Sequence, residues 1–233
     1  MLSFDTVLSS KLKVIANPLP EKDDELPLAG KTLPQNRRAR VLYLSNLVKS
    51  KGYLLVLEAV RVLVKERGFS VEAHFCGEFV PEQGSDFREA VNLMKREFLE
   101  LVEAGGLVEN IHYHGAVSGE KKRAMLRQSD FFVLPTQYPN EGQPISIIEA
   151  MAYGLVVLAT PIASIPDMID DGVDGLIVPP EPKAIADTLE QLIRSKEEFS
   201  AISSGAIRKY QRAFTLEAHL NAIIPCILGS KDF

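Results

Sequence analysis

Two kinds of apolar pattern alternate along the chain. Short apolar-rich runs occupy 41–45, 71–76, 111–114, 130–134, 155–160 and 175–178, and Gly, Pro or polar residues bound them. Such runs predict short strands buried on both faces. Between them, apolar residues recur at helical spacing over 53–66, 86–103, 120–128, 144–153, 183–195, 199–214 and 216–228. Gly68, Gly105-Gly106 and Gly154 fit as helix stops, because glycine takes the left-handed turn that ends a helix without a Cβ clash. Buried strands alternating with helices predict an α/β fold, a Rossmann-like doubly wound parallel sheet. In such a sheet ligands bind outside the carboxyl ends of the strands, where the strand order reverses. The loops after Ser45, Gly77, Gly115, Pro135 and Thr160 are therefore the ones to search.

The first part of the chain is less regular. Residues 1–13 give no clear element, and the run Val14-Ile15-Ala16-Asn17 is halted by Pro18. Residues 18–40 are rich in Pro, Lys, Glu and Asp and read as a loop or linker. This gives an N-terminal segment and linker over 1–40 and a single domain over 41–233. Arg37, Arg38 and Arg40 close the linker; a solvated loop face is favoured over a phosphate grip.

Composition narrows the classes. Of 233 residues 46% are hydrophobic, enough for a sizeable core, and 24% are charged, as in an ordinary soluble domain. A net charge of −5 argues against a nucleic-acid binder, which needs a basic face. The two cysteines, Cys76 and Cys226, lie in apolar contexts and read as buried reduced thiols in a reducing, cytoplasmic compartment. The first residues lack the basic and apolar regions of a signal peptide, and no run is long enough to span a bilayer.

The chemistry concentrates after the strand at 130–134. The loop and helix there read Thr136-Gln137-Tyr138-Pro139-Asn140-Glu141-Gly142-Gln143-Pro144-Ile145-Ser146-Ile147-Ile148-Glu149. Pro144 fits the first helical turn, where its missing N–H costs nothing. Gly142 lets backbone approach a ligand closely. The free amides and positive dipole end of the helix suit a diphosphate. Two carboxylates, Glu141 and Glu149, would repel that diphosphate unless they accept hydrogen bonds from hydroxyls, as on a ribose and a hexose. This division of labour fits a nucleotide-sugar site.

The run from Pro135 to Gly154 resembles the signature of the family 4 glycosyltransferases, retaining enzymes of the GT-B fold. The resemblance implies that Glu141 reaches the donor sugar and that Glu149 holds the nucleotide ribose. Leu44-Ser45-Asn46-Leu47-Val48-Lys49-Ser50-Lys51-Gly52 is similar to the family's first loop, in which an Arg and a Lys bind the donor diphosphate in place of a metal. Lys51 matches the Lys; Asn46 stands where the Arg is usual, which removes a bidentate fork. His114-Gly115-Ala116-Val117 is similar to the segment near the nucleobase. The segment from Ile165 to Pro180 is similar to that before the last strand, with Asp167 in place of the usual Glu. By this resemblance Glu141 and Lys51 are the catalytic candidates. Asn46, Lys51, Gly77, Val117, Gly142, Gln143, Pro144, Ile145 and Glu149 are the donor-binding ones. It implies a nucleoside-diphosphate sugar as donor, with no cofactor and no metal required. The resemblance covers about 14–228 and corresponds to the C-terminal half of a GT-B enzyme. The acceptor-binding N-terminal domain is the expected partner, and the chain alone is expected to bind donor but transfer sugar poorly. It also implies cell-surface polysaccharide or glycolipid assembly, with peripheral association at the inner membrane face.

Other readings compete at several positions. The same sheet could serve a non-catalytic nucleotide-binding or partner-docking module, a reading to which Asn46 gives weight. A sugar-nucleotide epimerase fits the run between the two glutamates less well. Lys51 could be a surface lysine, Asp167 a helix cap, and Gly77 and Gly115 simple strand ends. Lys121-Lys122-Arg123 reads as a solvated helix face. His112 and His114 lie two apart on one strand and share a face, as a metal site would need. No third ligand is apparent nearby in sequence, so they read as structural histidines. The helix at 216–228 would ordinarily bury its apolar face, but in the family the last helix crosses to the other domain, which implies partial exposure here.

Overall fold

A computed structural model describes residues 14–19, 26, 27, 29–82 and 87–228. The readings for 1–13 and 20–25, and the expected helix start at Asp86, lie outside the described residues. Among the described residues there are six strands: β1 (Ala39–Leu44), β2 (Val71–Cys76), β3 (Ile111–Gly115), β4 (Phe131–Leu134), β5 (Val156–Ala159) and β6 (Leu176–Ile177). All pair in parallel, in the order β3-β2-β1-β4-β5-β6. The order reverses between β1 and β4, which is the switch point of a doubly wound Rossmann-like sheet. Every residue of β4 and β5 is buried, as their unbroken apolar runs require.

The helices are α1 (Tyr53–Arg61), α2 (Phe87–Ala104), α3 (Gly119–Gln128), α4 (Ile145–Ala152), α5 (Ile165–Met168), α6 (Pro182–Arg194), α7 (Lys196–Ala213) and α8 (Leu216–Leu228). Where one helix was expected over 53–66, α1 passes into a π turn at Val62–Glu66. An aromatic cluster joins α1 and α2 to the sheet. The Phe98 ring of α2 lies 5.1 Å from Phe75 of β2 and 6.0 Å from Tyr53 of α1. Short α5 was not expected; its run of four residues is too brief to show helical spacing.

Several described residues of the segment read as a linker pack into the domain. Leu19 and Leu33 join the core. The Arg37 guanidinium forks onto the buried Asp130 carboxylate, with Nη1 to Oδ2 at 2.7 Å and Nη2 to Oδ1 at 2.8 Å. The Arg40 amide donates to the same carboxylate, so Arg37 and Arg40 are structural rather than a solvated face. Lys31 reaches the last turn of α3, where its ammonium donates to the carbonyls of Leu126 (2.9 Å), Arg127 (2.9 Å) and Ser129 (2.6 Å). Both cysteines are free; Cys76 is buried as expected, whereas Cys226 is only half-buried because α8 buries none of its residues. No described helix is long and apolar enough to cross a membrane.

Candidate functional site

At the switch point the carboxyl ends of β1, β2 and β4 open into a cleft of about 450 Å³. Leu44 ends β1, and Ser45 and Asn46 follow it along the cleft floor, with Cys76 at the end of β2 and Gly77 after it. Ala116 and Val117, after β3, form one wall; Gln143, Pro144, Ile145 and Ser146, at the start of α4, form the other. Leu134 at the end of β4, with Lys51, Glu141 and Glu149, completes the lining. The fold thus gathers nine of the ten residues singled out from the sequence. Gly142 is the exception: its carbonyl accepts a hydrogen bond from the Ser164 hydroxyl at 2.7 Å, and an added Cβ would meet nothing within 4 Å.

Backbone geometry explains why these loops lie where they do. Gly77 has φ +151°, and a Cβ there would run into the Ser45 carbonyl, so only glycine lets the ends of β1 and β2 close up. A single 3₁₀ turn, Lys49–Lys51, precedes Gly52, whose left-handed φ of +78° redirects the chain into α1. The buried Tyr43 hydroxyl lies 3.1 Å from the Asn46 carbonyl oxygen and 3.3 Å from that of Lys51, bracing this loop from below. Burial pushes the Tyr43 phenol well above its usual range, so it acts as a hydrogen-bond donor and not as an acid.

The two carboxylates have separate partners. Glu141 Oε1 lies 3.4 Å from Lys51 Nζ, and Oε2 accepts from the buried Thr136 hydroxyl at 3.0 Å. The Lys51 ammonium also lies 5.3 Å from the centroid of the Tyr138 ring. Glu149, one turn inside α4, pairs through Oε1 with Lys122 Nζ at 2.6 Å. Pro144 is the N-cap of α4 with ψ 108°, one position earlier than the helical turn expected for it. The amides of Ile145 and Ser146 precede the first ladder bond, Ile147 N–H to the Pro144 carbonyl, and both residues line the cleft. The Gln143 side-chain oxygen accepts from the Asn17 amide at 2.7 Å, which ties the N-terminal segment to the cleft wall. Cys76 is no nucleophile here, because burial pushes its thiol up to about 12.

Other sequence readings resolve differently. Lys122 is not on a solvated face; it is half-buried against Glu149, and no signal within its own helix marks it, since the partner lies in α4. Asp167 is exposed in the first turn of α5, whose N-cap is Ser164, so it does not cap that helix. Ser164 follows Ala163, which has φ +51°, the left-handed value that L residues rarely take. That turn aims the Ser164 hydroxyl at Gly142 and fixes the loop between the two glutamates. Thr136, read only as part of the loop, positions Glu141.

The chemistry on offer is a cation and a helix start beside two carboxylates, at the ligand-binding edge of a Rossmann-like sheet. Known proteins agree in fold and family. Anabaena Alr3699/HepE, solved in complex with UDP, superposes with a TM-score of 0.70 at 18% identity over 83% of this chain and 49% of its own. The C-terminal domain of a glycosyl transferase group 1 family protein (LpcC) from Francisella tularensis gives 0.64 at 22% identity, over 77% of this chain and 88% of its own. A phosphatidyl-myo-inositol mannosyltransferase of Mycobacterium leprae is 35% identical over 112 residues, 46% of this chain and 30% of that protein. The chain spans less than half the length of the curated relatives it matches. The family pattern described as "Glycosyl transferases group 1" matches residues 28–209, well over half of the 233. The chain therefore belongs to the group 1 glycosyl transferases, and its sheet is a Rossmann-like half of their GT-B fold.

Proposed function

We propose that this chain is the donor-binding half of a retaining glycosyltransferase that takes its sugar from a nucleoside-diphosphate donor. One observation carries the reading. A single cleft at the switch point holds Lys51, the free amides at the start of α4, Glu141 and Glu149. The diphosphate would sit between Lys51 and the α4 amides, where fixed positive charge also stabilises the leaving group as the sugar bond breaks. These protein groups supply the positive charge that a metal supplies elsewhere. Glu141 would accept hydrogen bonds from the sugar hydroxyls and Glu149 from the ribose. Lys122 occupies one oxygen of Glu149 and leaves the other for the ligand. The bond between Lys51 and Glu141 is a loose 3.4 Å, so a diphosphate can compete for the ammonium. The acceptor would be read by the N-terminal half of the full enzyme, in assembly of a surface polysaccharide or glycolipid at the inner membrane face. A relative that is a phosphatidyl-myo-inositol mannosyltransferase, from M. leprae, supports the glycolipid part of that setting.

Titration calorimetry with UDP, GDP and ADP tests the reading. One nucleotide is expected to bind, and Glu149→Ala is expected to weaken it by roughly tenfold or more, as for a lost hydrogen bond to a charged group. Equal binding by wild type and variant would remove Glu149 from the ribose site. No binding of any nucleotide would favour the non-catalytic docking module, in which Asn46 has silenced the diphosphate site.

A further inference from the structure

The sheet edge carries a second cluster, away from the cleft. Phe75 and Tyr113 face α2, with ring centroids 5.1 Å and 6.5 Å from Phe98. Strand alternation therefore turns Glu72 and His74 of β2, and His112 and His114 of β3, toward the opposite face. Parallel register sets His74 against His112, and their rings stack at 4.8 Å. The His114 ring lies nearly parallel to that of His74, with centroids 5.2 Å apart, and His114 Nε2 lies 2.9 Å from His74 Nδ1. His74 Nε2 in turn lies 3.4 Å from Glu72 Oε1. One ligand atom from each of Glu72, His74 and His112 lies within 4.8 Å of the other two. Three of the four histidines of the chain thus meet at one half-buried spot.

We propose that Glu72, His74 and His112 form a binding site for a divalent transition-metal ion of the Zn²⁺ class. Two imidazoles and a carboxylate are the ligand set such ions take, with bonds of about 2.0–2.1 Å. Tetrahedral bonds of that length separate ligand atoms by about 3.4 Å, the spacing already present between His74 and Glu72. The His112 ligand atom lies within 4.8 Å of the other two, so closing the third side requires it to draw in toward them. His114 is the outer partner. With the ion on His74 Nε2, the His74 Nδ1–H donates to His114 Nε2, and the pair changes tautomer without net proton release. Two charged groups border the site. Arg40 Nε donates to Glu72 Oε1, and Lys121 Nζ lies 3.4 Å from the His114 carbonyl oxygen. Arg40 opposes a cation and so sets an upper limit on affinity. A bound ion would pin the edge strand β3 to β2, just before Ala116 and Val117 enter the cleft wall.

Zinc chloride titrated into the chelator-treated chain tests this, read by calorimetry and thermal melting. One equivalent should bind and raise Tm by several degrees, since an ion that binds only the folded state stabilises it. His112→Ala should weaken binding by at least about tenfold, the lesser loss seen when even an outer partner is removed. Arg40→Gln should tighten binding, and His219→Ala should leave it unchanged. No zinc binding by the wild type, or binding unaltered in His112→Ala, overturns the proposal. If His112→Ala does not fold, Co²⁺ in the wild-type chain decides. A visible spectrum of four- or five-coordinate Co²⁺ upholds the site, and the six-coordinate aqueous spectrum overturns it.

Discussion

Asn46 stands where the resemblance leads one to expect an arginine. It lies on the floor opposite the start of α4, and its backbone carbonyl is held by Tyr43. A neutral amide there leaves Lys51 as the lining residue that carries positive charge. Asn46→Arg would restore a guanidinium beside the proposed diphosphate position. Nucleoside-diphosphate affinity is expected to rise roughly tenfold, the scale of one added charge-assisted hydrogen bond, and calorimetry against wild type measures it. No change would place the diphosphate out of reach of position 46. Glu149 shows the other side of residue-scale design. Its carboxylate would be an isolated negative charge beside a diphosphate, and Lys122 neutralises it at 2.6 Å.

Among the elements, α3 carries this second cation, and its own end needs support. The last carbonyls of a helix have no partner within it. The Lys31 ammonium supplies one from outside, reaching three of the final carbonyls. Burial lowers this ammonium to about 8, which still leaves it charged at neutral pH. Lys31→Met keeps the apolar stem and removes the three donors. The expected cost is about 2 kcal/mol for carbonyls left unsatisfied, a fall in Tm of about 4–8 °C for a domain of this size. Thermal denaturation followed by circular dichroism checks it. A change within 1 °C would mean that water replaces the lysine without loss. Helix α4 depends on its neighbours in another way. Ser164, aimed by the left-handed Ala163, holds the Gly142 carbonyl, so the loop carrying Glu141 is tied to α5 as well as to its own helix.

For the molecule as a whole, one surface stands apart. Helix α8 buries no residue, and Leu216, Leu220, Ile224, Ile227 and Leu228 are 42–77% exposed along it. Such a stripe costs little in the folded chain but promotes association in water. Replacing Leu220 and Ile227 together by Lys is expected to change stability by less than about 1 kcal/mol, as for surface positions. The same change should lower concentration-dependent light scattering. A drop in Tm of many degrees would show that α8 contributes to the core after all.

The sequence by itself determined the layered α/β class, nearly every strand and helix, and the loops at the carboxyl ends that form the cleft. The reason is local. Strand and helix periods are written in consecutive residues, and a Glu-to-Glu run of one loop and one helix travels as a unit. What only the tertiary structure decided are contacts between residues far apart in the chain. Lys122 looked solvated because its partner Glu149 lies in another helix. Lys31 and Arg37 looked like linker charges because the carbonyls and the carboxylate they serve belong to α3 and to the start of β4. The neighbours of His112 were not legible in sequence because Glu72 and His74 lie on β2, and parallel pairing alone sets His74 beside His112. Periodicity fixes which face a side chain takes; the register of strands and the packing of helices fix what it meets there.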